Sequence, residues 1–188
     1  MPDENITGDA AGGSLWLSPL TVADAGEMVG VLAGAGLYTF TGGRPPTLAE
    51  LRATYSRQAA GGSADGSQEW RNWIIRRQAD AAAVGYCQAT IVNGGNRAEI
   101  AWVVGAAWQQ RGYATEAAQA LVTWLDARGV GTIEAHIHPG HVVSAAVARR
   151  AGLRPTSQFD DGEQLWRRER AGPRAAAVHN DLHDGARD

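Results

Sequence analysis

The sequence predicts an α+β domain, and three observations carry that prediction. Apolar residues recur at helical spacing as far as Tyr55, the period changes to two over three consecutive runs after Asn72, and from residue 113 helix-like and strand-like segments alternate. With 188 residues and 44% hydrophobic side chains the chain is long enough to bury one core and too short for two, so a single domain is expected.

Each element follows from local signals. Leu15, Leu17 and Leu20 alternate loosely with polar residues, a short strand running into a helix capped by Thr21 that carries Met28, Val29 and Leu32. After the breaker-rich stretch 41–46, Thr47 opens a second helix through Leu48, Glu50, Leu51 and Tyr55, and Glu50 sits where a capping box needs it. Residues 61–67 read as a loop. Residues 73–77, 84–92 and 98–104 are rich in branched and aromatic side chains and are separated by turns at Asp80-Ala81 and Asn93-Gly94-Gly95, which predicts three antiparallel strands. A helix over 114–128 has an apolar stripe of Ala117, Ala118, Leu121, Val122 and Leu125 and stops at Gly129. A strand over 132–137, a helix over 142–150 stopped at Gly152, and strands over 155–159 and 163–168 joined at Asp161-Gly162 complete the domain. Its expected limits are 15–170, with 1–14 a flexible start and 171–188 a disordered polar tail.

Bulk properties exclude several classes. A net charge of -3 leaves no dense basic patch for displacing counterions from a phosphate backbone, so nucleic acid is not expected as a partner. All 17 basic residues are Arg and none is Lys, which with abundant Ala and Gly points to a GC-rich, bacterial-type genome. A single cysteine, Cys87, allows no intrachain disulfide and no multi-cysteine metal cluster. The start reads as no secretory signal and no apolar run is long enough to cross a bilayer, so the expectation is a cytoplasmic protein without a membrane partner.

The chemically informative stretch is Trp102-Val103-Val104 followed by Gln109-Gln110-Arg111-Gly112-Tyr113-Ala114-Thr115-Glu116-Ala117-Ala118, a strand, a turn and a helix start. A helix start leaves backbone N–H groups unpaired and carries a partial positive charge, so a pyrophosphate can accept several hydrogen bonds there. Gly112 lets the backbone approach a phosphate closely, small Ala114 keeps the next turn clear, and Arg111 adds charge. The pattern Gln109, two residues, Gly112, one residue, Ala114 resembles the coenzyme A signature of the GNAT (GCN5-related) N-acetyltransferase superfamily. The words Gly112-Tyr113-Ala114-Thr115-Glu116-Ala117 and Leu17-Ser18-Pro19-Leu20-Thr21 are similar to its branch of ribosomal-protein N-terminal acetyltransferases. The resemblance covers residues 15–170 in order of elements. It implies a mixed, mostly antiparallel sheet with helices on both faces, splayed between its fourth and fifth strands, which end at Val104 and Ile137. It also implies acetyl-CoA as cosubstrate with its pantetheine in that gap, an amine acceptor, and a homodimer.

Thioester aminolysis needs a neutral amine, a stabilised oxyanion and a proton for the leaving thiolate. Glu99 lies on the strand where many relatives place a carboxylate that takes the amine proton; the alternative is a solvated strand residue facing Arg97. Relatives commonly carry Asn, two residues, Ser, and then a Tyr that protonates the thiolate. Here His141 stands in place of Asn, Ser144 is kept, and Ala148 stands about where the Tyr is usual. Ser144 or His141 then supplies the proton, or the thiolate leaves unaided, a thiol with a pKa near ~8.5 being a fair leaving group.

Tyr38, Phe40, Trp70 and Trp73 are candidates for an aromatic acceptor wall that favours a cationic amine, with core packing as the alternative; Trp102 and Trp108 share that ambiguity. His136, His138 and His141 lack a carboxylate or cysteine to complete a metal shell, so no metal is expected. Cys87, in mid-strand, reads as a small apolar filler. The leading expectation is acetyl transfer from acetyl-CoA to a peptide N-terminus or small-molecule amine by direct attack in a ternary complex. The rival is an acyl-CoA-binding module that does not catalyse.

Overall fold

The computed structural model describes residues 5–7 and 13–170. The expected tail lies outside the described residues, as does most of the expected flexible start. Three long strands form the centre of the sheet: β3 (Glu69–Arg77), β4 (Ala83–Val92) and β5 (Arg97–Val104), antiparallel in that order. β2 (Leu15–Pro19) pairs antiparallel with β3, and β1 (Ile6–Thr7) with β2. The sequence reading placed no element at β1, yet Ile6 is buried in the core. Beyond β5 come β6 (Thr132–Ile137), β8 (Glu163–Glu169) and, at the edge, β7 (Arg154–Asp160). Pro155 is tolerated in β7 because an edge strand can spare an N–H.

Among the described residues four α-helices cover the sheet. α1 (Ala25–Val31) and α2 (Leu48–Gln58) pack on one face through Met28, Leu51 and Tyr55 against Ile74 and Ala83. α3 (Tyr113–Ala127) and α4 (Val142–Arg150) pack on the other through Leu121, Leu125, Val147 and Ala148 against Ile75, Ile100 and Ile133. Strand alternation makes this double layer: in β3, Trp73 and Ile75 point to the α3 side while Ile74 points to the α1 side. The apolar stripe expected on α3 is buried along its whole length.

The local signals largely hold. Thr47 and Glu50 form the capping box of α2, with Thr47 N donating to Glu50 Oε2 at 2.8 Å and Glu50 N to Thr47 Oγ1 at 3.3 Å. At Thr21 the chain first makes a 3-10 turn, Val22–Asp24, and α1 begins only at Ala25. There Asp24 accepts from Thr21 N at 2.7 Å and pairs with Arg76 of β3 at 2.6 Å.

One seam matters for function. β5 and β6 run parallel and are paired only at Arg97 with Thr132, Ala98 with Ile133 and Glu99 with Glu134. Past Glu99 they part, while β5 stays paired with β4 as far as Val104 with Gly85, and β6 with β8 as far as Ile137 with Gln164. The opening between the fourth and fifth strands of the expected domain is therefore present, between β5 and β6.

Candidate active site

The gap between β5 and β6 opens at the end of β5 onto the loop 105–112. Gly105 N donates to Val84 O at 2.9 Å, and a Cβ on Gly105 would lie 2.7 Å from Val31 O, so this turn fits only against the backbone of α1 with no side chain. Gln109 turns its side-chain amide onto the loop, donating Nε2 to Val104 O at 3.2 Å; it braces the turn that leads to α3. Gln110 and Gly112 take positive φ, 63° and 84°, and Gly112 is the N-cap of α3. The first helical hydrogen bond recorded there runs from Glu116 N back to Gly112 O at 3.0 Å. The N–H groups of Tyr113, Ala114 and Thr115 thus belong to the open first turn, next to a loop backbone that is left-handed at Gln110 and Gly112.

Glu116, in the first turn of α3, has a structural task. Its carboxylate accepts from Ser14 N at 2.7 Å, Ser14 Oγ at 2.6 Å and Leu15 N at 3.0 Å, fastening the start of α3 to the start of β2. Its helical position was legible in the sequence; its partners, a hundred residues away, were not.

Glu99 occupies the last paired position of β5, where the strands begin to part, and its side chain is exposed. Its exposure fits the solvated strand residue of the alternative as well as it fits a base, and the charge nearest in sequence, Arg97, is turned elsewhere. Arg97 lies 3.6 Å from Glu134, and Arg167 approaches the same carboxylate at 2.6 Å. Among the described residues Glu99 has no ion-pair partner.

At the far side of the gap His141 is the N-cap of α4, its Nδ1 accepting from Ser144 N at 3.0 Å. The imidazole nitrogen does what an Asn carbonyl does at that position. With Nδ1 an acceptor, the neutral ring carries its proton on Nε2. His138 Nδ1 similarly accepts from Gly140 N at 3.0 Å. Both rings meet Phe40, whose centroid is 5.2 Å from that of His138 and 4.6 Å from that of His141. The connection between α1 and α2 therefore reaches across to the loop before α4. Ser144, half-buried in the first turn of α4, and Ala148, fully buried, lie on the same helix.

The aromatic candidates separate. Trp73 is 1% exposed and meets Trp124 of α3 edge to face at 4.9 Å, so it packs the core. An odd count of residues from Trp70 puts it on the opposite face of the sheet. Trp70 is half-buried on the α2 side of β3, and its Nε1 donates to Gln68 Oε1 at 2.9 Å. Tyr38 is partly exposed and its hydroxyl donates to Leu32 O at 3.0 Å. Trp102 and Trp108 pack partly buried against the core. Cys87 is fully buried, and burial pushes its thiol well above the ordinary range, so it is inert.

The sheet is mixed and parted at one parallel seam, with the start of α3 at its mouth. The chain belongs to the acetyltransferase (GNAT) family, whose domain model matches residues 14–154. It is an acetyltransferase. No curated protein sequence matches it. Among solved structures it is similar to a GNAT-family acetyltransferase from Bacillus anthracis, with a TM-score of 0.71 at 17% identity, covering 88% of this chain and 98% of the other. It is similar to RimL, a ribosomal L7/L12 alpha-N-protein acetyltransferase held in complex with coenzyme A, with a TM-score of 0.71 at 17% identity over 88% and 98% of the two chains. It is also similar to AAC(6')-Ib in complex with paromomycin and acetyl-CoA, with a TM-score of 0.68 at 20% identity over 84% and 94%. At these identities the likeness is one of fold.

Proposed function

We propose that this protein transfers acetyl from acetyl-CoA to a primary amine, on a peptide N-terminus or a small molecule, by direct attack within a ternary complex. The observation that carries the reading is the continuity of the β5–β6 gap with the loop ending at Gly112. In this reading the N–H groups of the loop and of the first turn of α3, from Arg111 to Thr115, hold the pyrophosphate. The edge of β5 from Ile100 to Val104, freed from β6, offers backbone groups to the pantetheine amides in the manner of an added strand, with Trp102 and Val103 along it. Glu99, unpaired and at the head of the gap, accepts the proton of the attacking amine, directly or through water. Ser144 passes a proton to the departing thiolate and takes one from solvent in the same step, so that its hydroxyl is restored. His141 acts through Ser144, because its Nδ1 is engaged by the Ser144 N–H and holds that turn in place. Relatives of this fold act on amines of both kinds, a protein N-terminus for RimL and paromomycin in the AAC(6')-Ib complex, which supports an amine acceptor here.

The test is calorimetric titration of the protein and of Gly112→Trp with acetyl-CoA, followed by transfer assays on a panel of amines and N-terminal peptides. The expected result is micromolar-range binding, lost by at least about tenfold in the variant, and turnover of one acceptor class. Gly112 has open space around its Cβ position but a φ of 84°, so the variant's thermal unfolding is recorded beside its binding. Absence of acetyl-CoA binding by the wild-type protein, or binding without transfer, overturns the reading.

A further inference from the structure

The connection between α1 and α2 passes from one lip of the gap to the other. At its start Gly34 lies against the loop after β5, where a Cβ on it would stand 3.1 Å from Ala106 Cβ. A 3-10 turn, Ala35–Tyr38, follows, and the Tyr38 hydroxyl ties it back to α1 through Leu32 O. At its end the ring of Phe40 meets those of His138 and His141 in the loop after β6. Residues 34–40 therefore bridge the ends of the two strands that have parted. The seat of Phe40 is close-fitting. A Cβ on Gly140 would lie 3.2 Å from Phe40 Cε1 and 3.2 Å from His138 Nδ1, so glycine leaves room for both rings. His141 N donates to His138 O at 2.8 Å, closing the turn that presents the two imidazoles together.

Both imidazoles serve as acceptors. Each Nδ1 takes a backbone N–H, from Gly140 and from Ser144, and only the neutral ring has a lone pair to do so. Imidazole is the side chain that gains its proton between about pH 5 and 8. A proton added at Nδ1 faces the N–H it formerly accepted, so acid breaks both turns and leaves two positive rings on one phenyl. Among the described residues neither ring has an ion-pair partner to hold the added charge. The charged groups on neighbouring elements are Asp160 and Glu163, where β7 meets β8, and Arg44 on the connection, which Glu50 holds; His136 of β6 is the other titratable neighbour. The first turn of α4 carries no acid. We propose that residues 34–40 are a strap over the gap, latched at Phe40 by the neutral rings of His138 and His141, and that acid releases the strap by protonating the two rings. Phe40 is then a positioning residue. It holds the α1 side of the site against the turn that carries Ser144 and keeps water from the thioester until an acceptor enters. The bearing of the strap on the thioester rests on the acetyl-CoA reading above; the latch itself does not.

The test follows amide hydrogen exchange over residues 34–40 of the full chain at about pH 7.5 and about pH 5.5, compared as protection factors so that the intrinsic pH dependence of exchange cancels. Wild type is expected to lose at least about tenfold of its protection there on acidification, while the amides of β4 keep theirs. Phe40→Ala is expected to show the low value at both pH values, and Phe40→Tyr to restore the wild-type pattern. His138→Asn combined with His141→Asn supplies amide oxygens that accept the same N–H groups without titrating, so protection becomes equal at both pH values. This pair is an independent check should Phe40→Ala lose its fold. Given acetyl-CoA and no amine, Phe40→Ala is expected to hydrolyse it to acetate and the free thiol at least about threefold faster than wild type. Wild-type protection that ignores pH, or that falls equally in β4, overturns the protonation step. Phe40→Ala protected like wild type overturns the strap, and unchanged hydrolysis in a Phe40→Ala protein that has lost protection removes the strap from the reaction. Wild-type protein that binds no acetyl-CoA overturns the acetyl-transfer reading, while the exchange results still decide the latch.

Discussion

Glu99 and Glu134 stand side by side in register on one face of the sheet, and their surroundings differ. Glu134, 6% exposed, is held by Arg167 and Arg97, whereas Glu99 is exposed and free of both. A carboxylate committed to two guanidiniums is a poor base; an uncompensated one at the head of the gap is available to an incoming amine. Glu99→Gln is expected to lower kcat/KM about a hundredfold with acetyl-CoA affinity unchanged. With the base gone, the rise of rate with pH moves to the pKa of the acceptor amine. A variant with wild-type rate and an unshifted pH profile removes Glu99 from the mechanism. At the same scale, His141 illustrates substitution by function: its Nδ1 accepts the Ser144 N–H, so the departure from the Asn of relatives costs α4 no cap.

Among the elements, α2 is the one most completely written in its own sequence. Thr47, Glu50 and the stripe of Leu51 and Tyr55 lie within one helix length, so local chemistry suffices. Arg44 adds to the box, its Nη2 reaching Glu50 Oε1 at 2.6 Å. The Arg44 hydrogen bond, followed by those from Thr47, lowers the Glu50 carboxyl to about 2. Because the folded-state value is depressed, the stabilising effect is present above the ordinary carboxylate range and is lost as pH falls toward about 2. A carboxyl titration followed by carbon NMR is expected to place Glu50 near about 2, and Arg44→Ala to move it upward. A midpoint unmoved by Arg44→Ala rules out the ion pair as the cause. α3 contrasts with α2. Its stripe and its stop are local, but the clamp of Glu116 on Ser14 and Leu15 depends on β2 arriving beside it.

For the whole molecule the parallel seam is the weak joint, since only three register pairs link β5 to β6 and the gap must stay open beyond them. Two things hold the halves together. One is the shared core beneath α3 and α4, where Ile100 of β5 and Ile133 of β6 lie in one cluster. The other is Glu134, which ties β6 to β8 through Arg167 and to β5 through Arg97. Removing Arg167 leaves a buried carboxylate with one partner at 3.6 Å. Arg167→Ala is therefore expected to cost about 2 kcal/mol in urea unfolding, less than the ~3–5 of a fully buried pair because the Arg167 side chain keeps 35% of its surface exposed. Adding Glu134→Ala should restore part of that loss. An Arg167→Ala protein as stable as wild type assigns the seam to the apolar core alone.

Legible in the chain alone were the cap at Thr47, the stripe of α3, the loop from Gln109 to Thr115 and the order of elements from β2 onward, because each depends on residues within a few positions of one another. Its least legible parts were those without periodicity, such as β1 and the early start of β3 at Glu69, which exist because a neighbouring strand supplies their hydrogen bonds. Only the tertiary structure decided that Trp73 belongs to the core and not to a pocket wall, that Arg97 answers Glu134 and not Glu99, and that Arg77 joins Trp108 beside the loop. The physical reason is common to all three. Sheet register and strand order choose which distant side chains share a face, and a shift of one residue would send each to the other side.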